Sequence, residues 1–175
     1  VQECIAAFAR LPRSLDDAVL VLACRTYPGQ DPAREAQHAV AQAERLGVAE
    51  RVRIMGEVSD MAALITACAV TVLLPSRLEG KMAIPLVLLE SLALGRPVIT
   101  GSHPPLNEAL FAGGLAVPPG DIPALAEALA QLLSDTNLRQ QLGRTGRDAV
   151  RQACDPQKAV QQYQQIYARL AGHEA

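Results

Sequence analysis

Five short apolar runs alternate with longer segments of helical periodicity, and that alternation leaves very few folds open to the chain. The runs are AVLVLAC at 18–24, VRIM at 52–55, AVTVLL at 69–74, PVIT at 97–100 and LAV at 115–117. Each is short, rich in Val, Ile or Leu, and bounded by turn or capping residues, as expected of strands buried on both faces. The segments between them carry helix signals. Asp31-Pro32 supplies an N-cap and a first-turn proline for a helix reaching about Leu46 and stopped by Gly47. Ser59 or Asp60 caps a helix through Ala67, residues 85–94 form a helix stopped by Gly95, and residues 106–111 form a short one. Pro118-Pro119-Gly120 turns into a helix over 122–133, and two more follow at about 136–153 and 156–170. The opening VQECIAAFARLP is amphipathic, with Ile5, Phe8 and Ala9 against Gln2, Glu3 and Arg10.

Short buried strands separated by helices predict a doubly wound α/β fold: a mostly parallel, Rossmann-like sheet with right-handed crossovers and extra C-terminal helices. With 175 residues, half of them hydrophobic, the chain suffices for one core, so a single domain is expected. Its abrupt helical start, with no strand or cap ahead of it, is most simply read as following an upstream segment. The last helix carries Val160, Tyr163, Ile166, Tyr167 and Leu170 as a narrow apolar stripe. The plainer expectation is that this stripe packs on the sheet edge; the alternative is docking on a second domain.

Composition removes several function classes. A net charge of −2 and few aromatics, with no Trp, argue against a nucleic-acid partner, which needs basic excess or stacking platforms. Cys4, Cys24, Cys68 and Cys154 lie far apart without CxxC spacing, which reads as reduced, mostly buried thiols in a cytoplasmic protein. His38, His103 and His173 show no metal-ligand spacing, and no metal is expected. There is no signal peptide and no apolar run of about eighteen residues or more. Peripheral membrane contact stays open, and the sequence does not fix the oligomeric state. A dinucleotide-dependent oxidoreductase fits poorly, because CRTYPGQD follows the first apolar run where a GxGxxG would be needed.

Ligands of doubly wound sheets bind beyond the carboxyl ends of the strands, so the segment after TVLLPS, EGKMAIPLVLLE, deserves the closest reading. The succession VRIMGEVSDMAALITACAVTVLLPS, PLVLLESLALGRPVITG and GGLAVPPGDIPALAEALAQLLSD resembles the nucleotide-sugar-binding C-terminal domain of family-four glycosyltransferases, the retaining enzymes of the GT-B fold. The likeness covers nearly the whole chain. It implies glycosyl transfer from a nucleotide-sugar donor, such as a UDP- or GDP-sugar, to an acceptor hydroxyl, with no metal or other cofactor. It also implies that a first strand and an N-terminal acceptor domain lie ahead of Val1, the strand being followed by a loop with a basic pair. A chain of residues 1–175 alone is then expected to be inactive.

The family pattern is Glu, seven residues, Glu. Counting back from Glu90 places Met82 at the first Glu, with Ala83 and Pro85 at two glycine positions; Glu79-Gly80 imitates the motif three residues too early. The resemblance assigns the donor to Lys81, Met82, Ala83, Ile84, Leu86 and Glu90, with Val58 of GEVSDM beside the nucleobase. Glu90 would grip two ribose hydroxyls through charge-assisted hydrogen bonds, with Leu86, Leu89 and Ala93 at core spacing. Lys81 would offer a point charge to phosphate. Met82 cannot accept the hydrogen bonds of the family's sugar-binding Glu, and Pro85 has no N–H to donate. Those departures motivate an alternative: a non-catalytic nucleotide-binding or interaction domain derived from the same fold. His103 reads as a loop residue, and Asn107-Glu108 as a helix cap or a substrate contact.

Overall fold

The alternation read from the sequence is the chain order of the fold. The structure, a computed structural model, describes residues 1–23, 31–74 and 84–171. Helix α1 is Gln2–Phe8, strand β1 Leu20–Ala23, α2 Pro32–Arg45, β2 Val52–Met55, α3 Met61–Ala67 and β3 Thr71–Leu73. There follow α4 Leu86–Ala93, β4 Val98–Gly101, β5 Gly114–Val117, α5 Ile122–Ser134, α6 Thr136–Ala153 and α7 Pro156–Leu170. Where a short helix was expected at 106–111, a 3₁₀ turn over Glu108–Leu110 stands.

Aspartates start five of the helices. Asp31, Asp60, Asp121, Asp135 and Asp155 each accept a backbone N–H of the first turn, at 3.0, 2.8, 2.9, 2.9 and 2.9 Å. Each cap satisfies an otherwise orphaned donor and is worth about 1 kcal/mol. Between the two candidates for α3, Asp60 is the cap, through Ala63 N–H.

All strand pairs are parallel. β1 pairs with β2 with Leu20 opposite Val52, β3 with β4 with Thr71 opposite Val98, and β4 with β5 with Val98 opposite Gly114. Helices α1, α2 and α5 pack together on one face, and α3, α4 and α6 on the other. The first face holds the larger core, in which Ile5, Phe8, Leu22, Val52, Ile99, Leu125 and Leu132 join residues of four strands and three helices. The second core is smaller, built from Leu88, Leu92, Val98, Leu106, Leu110 and Val150. In one respect the sheet differs from expectation. It is two sheets, β1-β2 and β3-β4-β5, because β1 and β3 are not hydrogen-bonded to each other.

Two further expectations are corrected. The α7 stripe does not pack on the sheet edge: no α7 residue is buried, and Tyr163, Tyr167 and Leu170 are 62%, 64% and 79% exposed. The preceding helix has taken the place, because Gly143 and Gly146 let α6 lie directly on the backbones of Gly95 and Gly113, where a Cβ would collide. The described cysteines are less buried than expected. Cys154 is exposed and Cys4 and Cys68 are partly buried, while Cys24 lies outside the described residues. Burial pushes the Cys68 thiol above its ordinary value, and the Arg96 guanidinium pulls part of the way back. Among the described residues no helix is long and apolar enough to cross a membrane.

Candidate functional site

Within each half-sheet the strands are parallel, so their carboxyl ends open together on one edge of it. Beyond β2 lie Gly56, Glu57 and Val58; beyond β3, Leu74 and then the N-terminus of α4; beyond β4, Ser102 and His103; beyond β5, Pro118 and Pro119. The winding direction changes between β1 and β3, since β1 is followed outward by β2 and β3 by β4 and β5. A crevice at the carboxyl edge of such a switch point is where open α/β sheets bind ligands.

Glu90 comes to this edge on α4. The helix begins after Pro85, whose extended backbone (φ −62°, ψ 130°) ends the loop, and Glu90 follows four residues after Leu86, roughly 6 Å along the axis. Helical side chains lean toward the N-terminus, which carries the carboxylate back toward the strand ends. Glu90 is exposed and its side chain has no hydrogen bond or ion pair among the described residues. A carboxylate left unpartnered in the folded chain keeps both oxygens available to a ligand.

The core face of α4 is not the expected one. Leu88, Ser91 and Leu92 are fully buried, whereas Leu86 is 55% exposed and Ala93 is exposed. Ser91 is tolerated there because its hydroxyl donates to the Val87 carbonyl at 2.7 Å, leaving no unsatisfied group. The exposed face is therefore Leu86, Glu90, Ala93 and Leu94, an apolar surface carrying a single carboxylate.

Val58, half-buried, sits in the β2–α3 loop on the same edge, with Asp60 already engaged as the α3 cap. Ile84 is half-buried and packs beside the second core, directly ahead of α4. Lys81, Met82 and Ala83, and with them Glu79, lie outside the described residues, as does His173. His38 stands on α2, away from this edge.

His103 has a structural use that the sequence did not disclose. Its Nδ1 lies 3.3 Å from the Pro104 carbonyl oxygen, and its ring stacks so close to Gly101 that a Cβ there would stand 3.0 Å from Nε2. The His103 carbonyl accepts from Leu106 N–H at 3.0 Å. Asn107 makes no side-chain cap, against the capping expectation, and Glu108 is exposed. Thr100, also missed from sequence, is buried at the end of β4 and donates its hydroxyl to the Leu73 carbonyl at 2.8 Å, tying β3 to β4 just before the site loop. Among the described residues no three His, Cys, Asp or Glu side chains gather as a metal would require.

Residues 1–149 match the sequence profile of the glycosyl transferases group 1 family. The chain belongs to that family. Among curated relatives it is 28% identical over 169 residues to N-acetyl-alpha-D-glucosaminyl L-malate synthase of Bacillus anthracis, an alignment covering 95% of this chain and 41% of that protein. Among solved structures, sucrose-phosphate synthase of Thermosynechococcus elongatus superimposes with a TM-score of 0.77 at 25% identity, over 99% of this chain and 42% of that one. Anabaena HepE, solved with UDP and glucose, superimposes with a TM-score of 0.79 at 22% identity, over 97% of this chain and 44% of that one. This group 1 glycosyl transferase chain thus spans less than half the length of each of these three proteins.

Proposed function

We propose that this chain is the donor-binding half of a glycosyltransferase that moves a hexose-like sugar from a nucleotide sugar to an acceptor hydroxyl with retention. The acceptor would be held by a second domain of the same polypeptide, across an interdomain cleft, so that residues 1–175 alone bind donor without turning it over. The observation that carries this reading is Glu90: an exposed, unpartnered carboxylate one turn inside α4, at the carboxyl edge, in a member of this family. That HepE takes UDP and glucose on the same fold supports a nucleotide sugar as the ligand class.

In this reading Glu90 accepts from two vicinal ribose hydroxyls, and Val58 packs on the base. Lys81 meets a phosphate oxygen as a point charge. The first N–H groups of α4 have no partner within the helix and face the diphosphate and sugar, with Met82, Ala83, Ile84 and Leu86 around them. Pro85 adds no donor. Stabilising the leaving diphosphate is the chain's share of catalysis, by position and fixed charge rather than by a general base. No metal or organic cofactor is assigned.

Calorimetric titration of the full-length protein with UDP and GDP tests the site. One of the two should bind, and Glu90→Ala should weaken it about 10- to 100-fold, the loss of about 1.5–3 kcal/mol expected for hydrogen bonds to a charged group. Binding of neither nucleotide, or an unchanged affinity in the variant, would sink the reading. The replacement of the family's sugar-binding Glu by Met82 favours one rival, a domain that binds nucleotide without transfer. Release of labelled sugar from a donor by the full-length protein eliminates that rival.

A further inference from the structure

At the carboxyl end of β4 the chain fixes an imidazole more firmly than a surface loop requires. Ser102 N–H donates to the Val117 carbonyl at 2.8 Å, which ties the start of the loop to the end of β5. Further on, Leu106 is fully buried in the second core, and Leu106 and Asn107 both donate their N–H groups back to the His103 carbonyl, at 3.0 and 3.3 Å. His103 is thus held from both sides, with its ring laid on Gly101. A Cβ at position 101 would stand 3.0 Å from Nε2 and 3.1 Å from Cδ2, so glycine is what makes room for the ring. A side chain already ordered in the folded protein loses little more entropy when a ligand meets it.

The two ring nitrogens have different tasks. Nδ1 lies 3.3 Å from the Pro104 carbonyl oxygen, an atom that can only accept, so this contact selects the tautomer with hydrogen on Nδ1. The neutral ring then carries a lone pair on Nε2. That nitrogen has no hydrogen bond among the described residues. The buried side-chain polar atoms without partners there are Gln42 Oε1 and Arg96 Nε, which leaves Nε2 open to the surface.

This acceptor stands beside the start of α4. Leu73 and Thr100 are register partners at the ends of β3 and β4, joined by the Thr100 hydroxyl. Gly101, under the ring, therefore runs one strand spacing, about 4.8 Å, from the chain that leaves β3 toward α4. On the helical side Leu106 packs with Leu88, inside α4, and with Ile84, just ahead of it. His103 and Glu90 are thus offered at the carboxyl edge of the same half-sheet. What a lone pair there can take is limited. The oxygens of an ionised diphosphate have no hydrogen to donate, whereas every sugar hydroxyl has one. With the ribose hydroxyls given to Glu90, the transferred sugar remains.

We propose that Nε2 of His103 accepts a hydrogen bond from one hydroxyl of the donor's hexose and so selects among sugars. The inference rests on the donor-binding reading and extends it from the nucleotide to the sugar. His103 in this role takes no proton and forms no covalent bond. A sugar whose hydroxyl is missing or points elsewhere leaves Nε2 unpaired, the kind of mismatch by which polar sites discriminate.

The test is calorimetry on the full-length protein without acceptor, using UDP, GDP, UDP-glucose and GDP-mannose. His103→Ala should leave the affinity for the nucleoside diphosphate within about twofold of the parent and weaken the matching nucleotide sugar about 3- to 10-fold, as for one neutral hydrogen bond. His103→Gln, whose amide oxygen can take the place of Nε2, should restore most of that loss. Among donor analogues with fluorine replacing one hydroxyl at a time, one should bind the parent more weakly by the same factor and bind His103→Ala no more weakly than the natural sugar does. An unchanged nucleotide-sugar affinity in His103→Ala overturns the proposal. So does an equal fall for diphosphate and nucleotide sugar, which would make the ring a support of the loop. Either result leaves the donor reading standing, since that reading fails only where the parent binds neither UDP nor GDP or Glu90→Ala changes nothing.

Discussion

The side chain that matters most to the proposed site contributes least to the fold. The Glu90 side chain has no hydrogen bond or ion pair among the described residues, so Glu90→Ala should leave the free energy of unfolding within about 0.5 kcal/mol of the parent, as surface substitutions do. Leu88, two residues earlier and fully buried, should cost about 2–5 kcal/mol as Leu88→Ala. Chemical denaturation of both variants beside the nucleotide titration separates loss of binding from loss of structure; a destabilised Glu90→Ala would show that the carboxylate is structural. Sequence located Glu90 on this helix but misjudged the face around it. The helix is apolar on nearly every side, LVLLESLA, so periodicity could not choose between Leu86-Leu89-Ala93 and Leu88-Ser91-Leu92. What decided it was a hydroxyl bonding back to its own helix, a local satisfaction that makes Ser91 a core residue. The role of His103 was hidden for a different reason: it depends on a loop folding back upon Gly101, which no spacing rule announces.

At the scale of elements, the caps and breakers were legible and the packing partners were not. Aspartates open helices wherever they precede a periodic run, and Gly47 (φ 71°) and Gly95 (φ 72°) adopt the left-handed conformation that ends them. The place of α6, by contrast, follows from close approach. A Cβ on Gly146 would stand 2.7 Å from Leu92 Cδ2 and 2.9 Å from the Gly113 Cα, so the helix must shift. Gly146→Ala should therefore destabilise by about 1–3 kcal/mol through overpacking. Gly56→Ala, where nothing lies within 4 Å and φ is not positive, should be neutral or slightly stabilising. Equal denaturation midpoints for the two variants would refute the close-packing account. Helix α7 stands at the other extreme. Since none of its residues is buried, Tyr163→Ser together with Ile166→Ser should change the free energy of unfolding by no more than about 0.5 kcal/mol. A larger loss would mean that the stripe packs on this domain or another part of the full protein. The stripe's spacing is in the sequence; what it faces is not, because an amphipathic helix states only that some surface covers it.

For the whole molecule, the two half-sheets raise the question of whether they unfold together. Hydrogen bonds do not join β1 to β3 among the described residues, so cohesion falls to the layer of helices that spans them. That layer is α1, α2 and α5. Its core contains Leu22 and Val52 from the first half-sheet and Ile99 and Val117 from the second, bridged by Ile5, Phe8, Leu125, Leu129 and Leu132. On the opposite face the smaller core serves only the second half-sheet, through Leu88, Val98, Leu106 and Val150. If the bridging core dominates, opening one half exposes apolar surface of the other, and the two share one cooperative transition. Native-state hydrogen exchange of the full-length protein in rising denaturant should then give the slowest amides of β2 and β4 the same opening free energy. Leu132→Ala, fully buried in the bridge, should lower both by the same amount, about 2–5 kcal/mol. Leu106→Ala, in the one-sided core, removes contacts of the second half alone. If the transition is single it must still lower both amide sets equally; a fall at β4 with β2 unchanged would show two independent units.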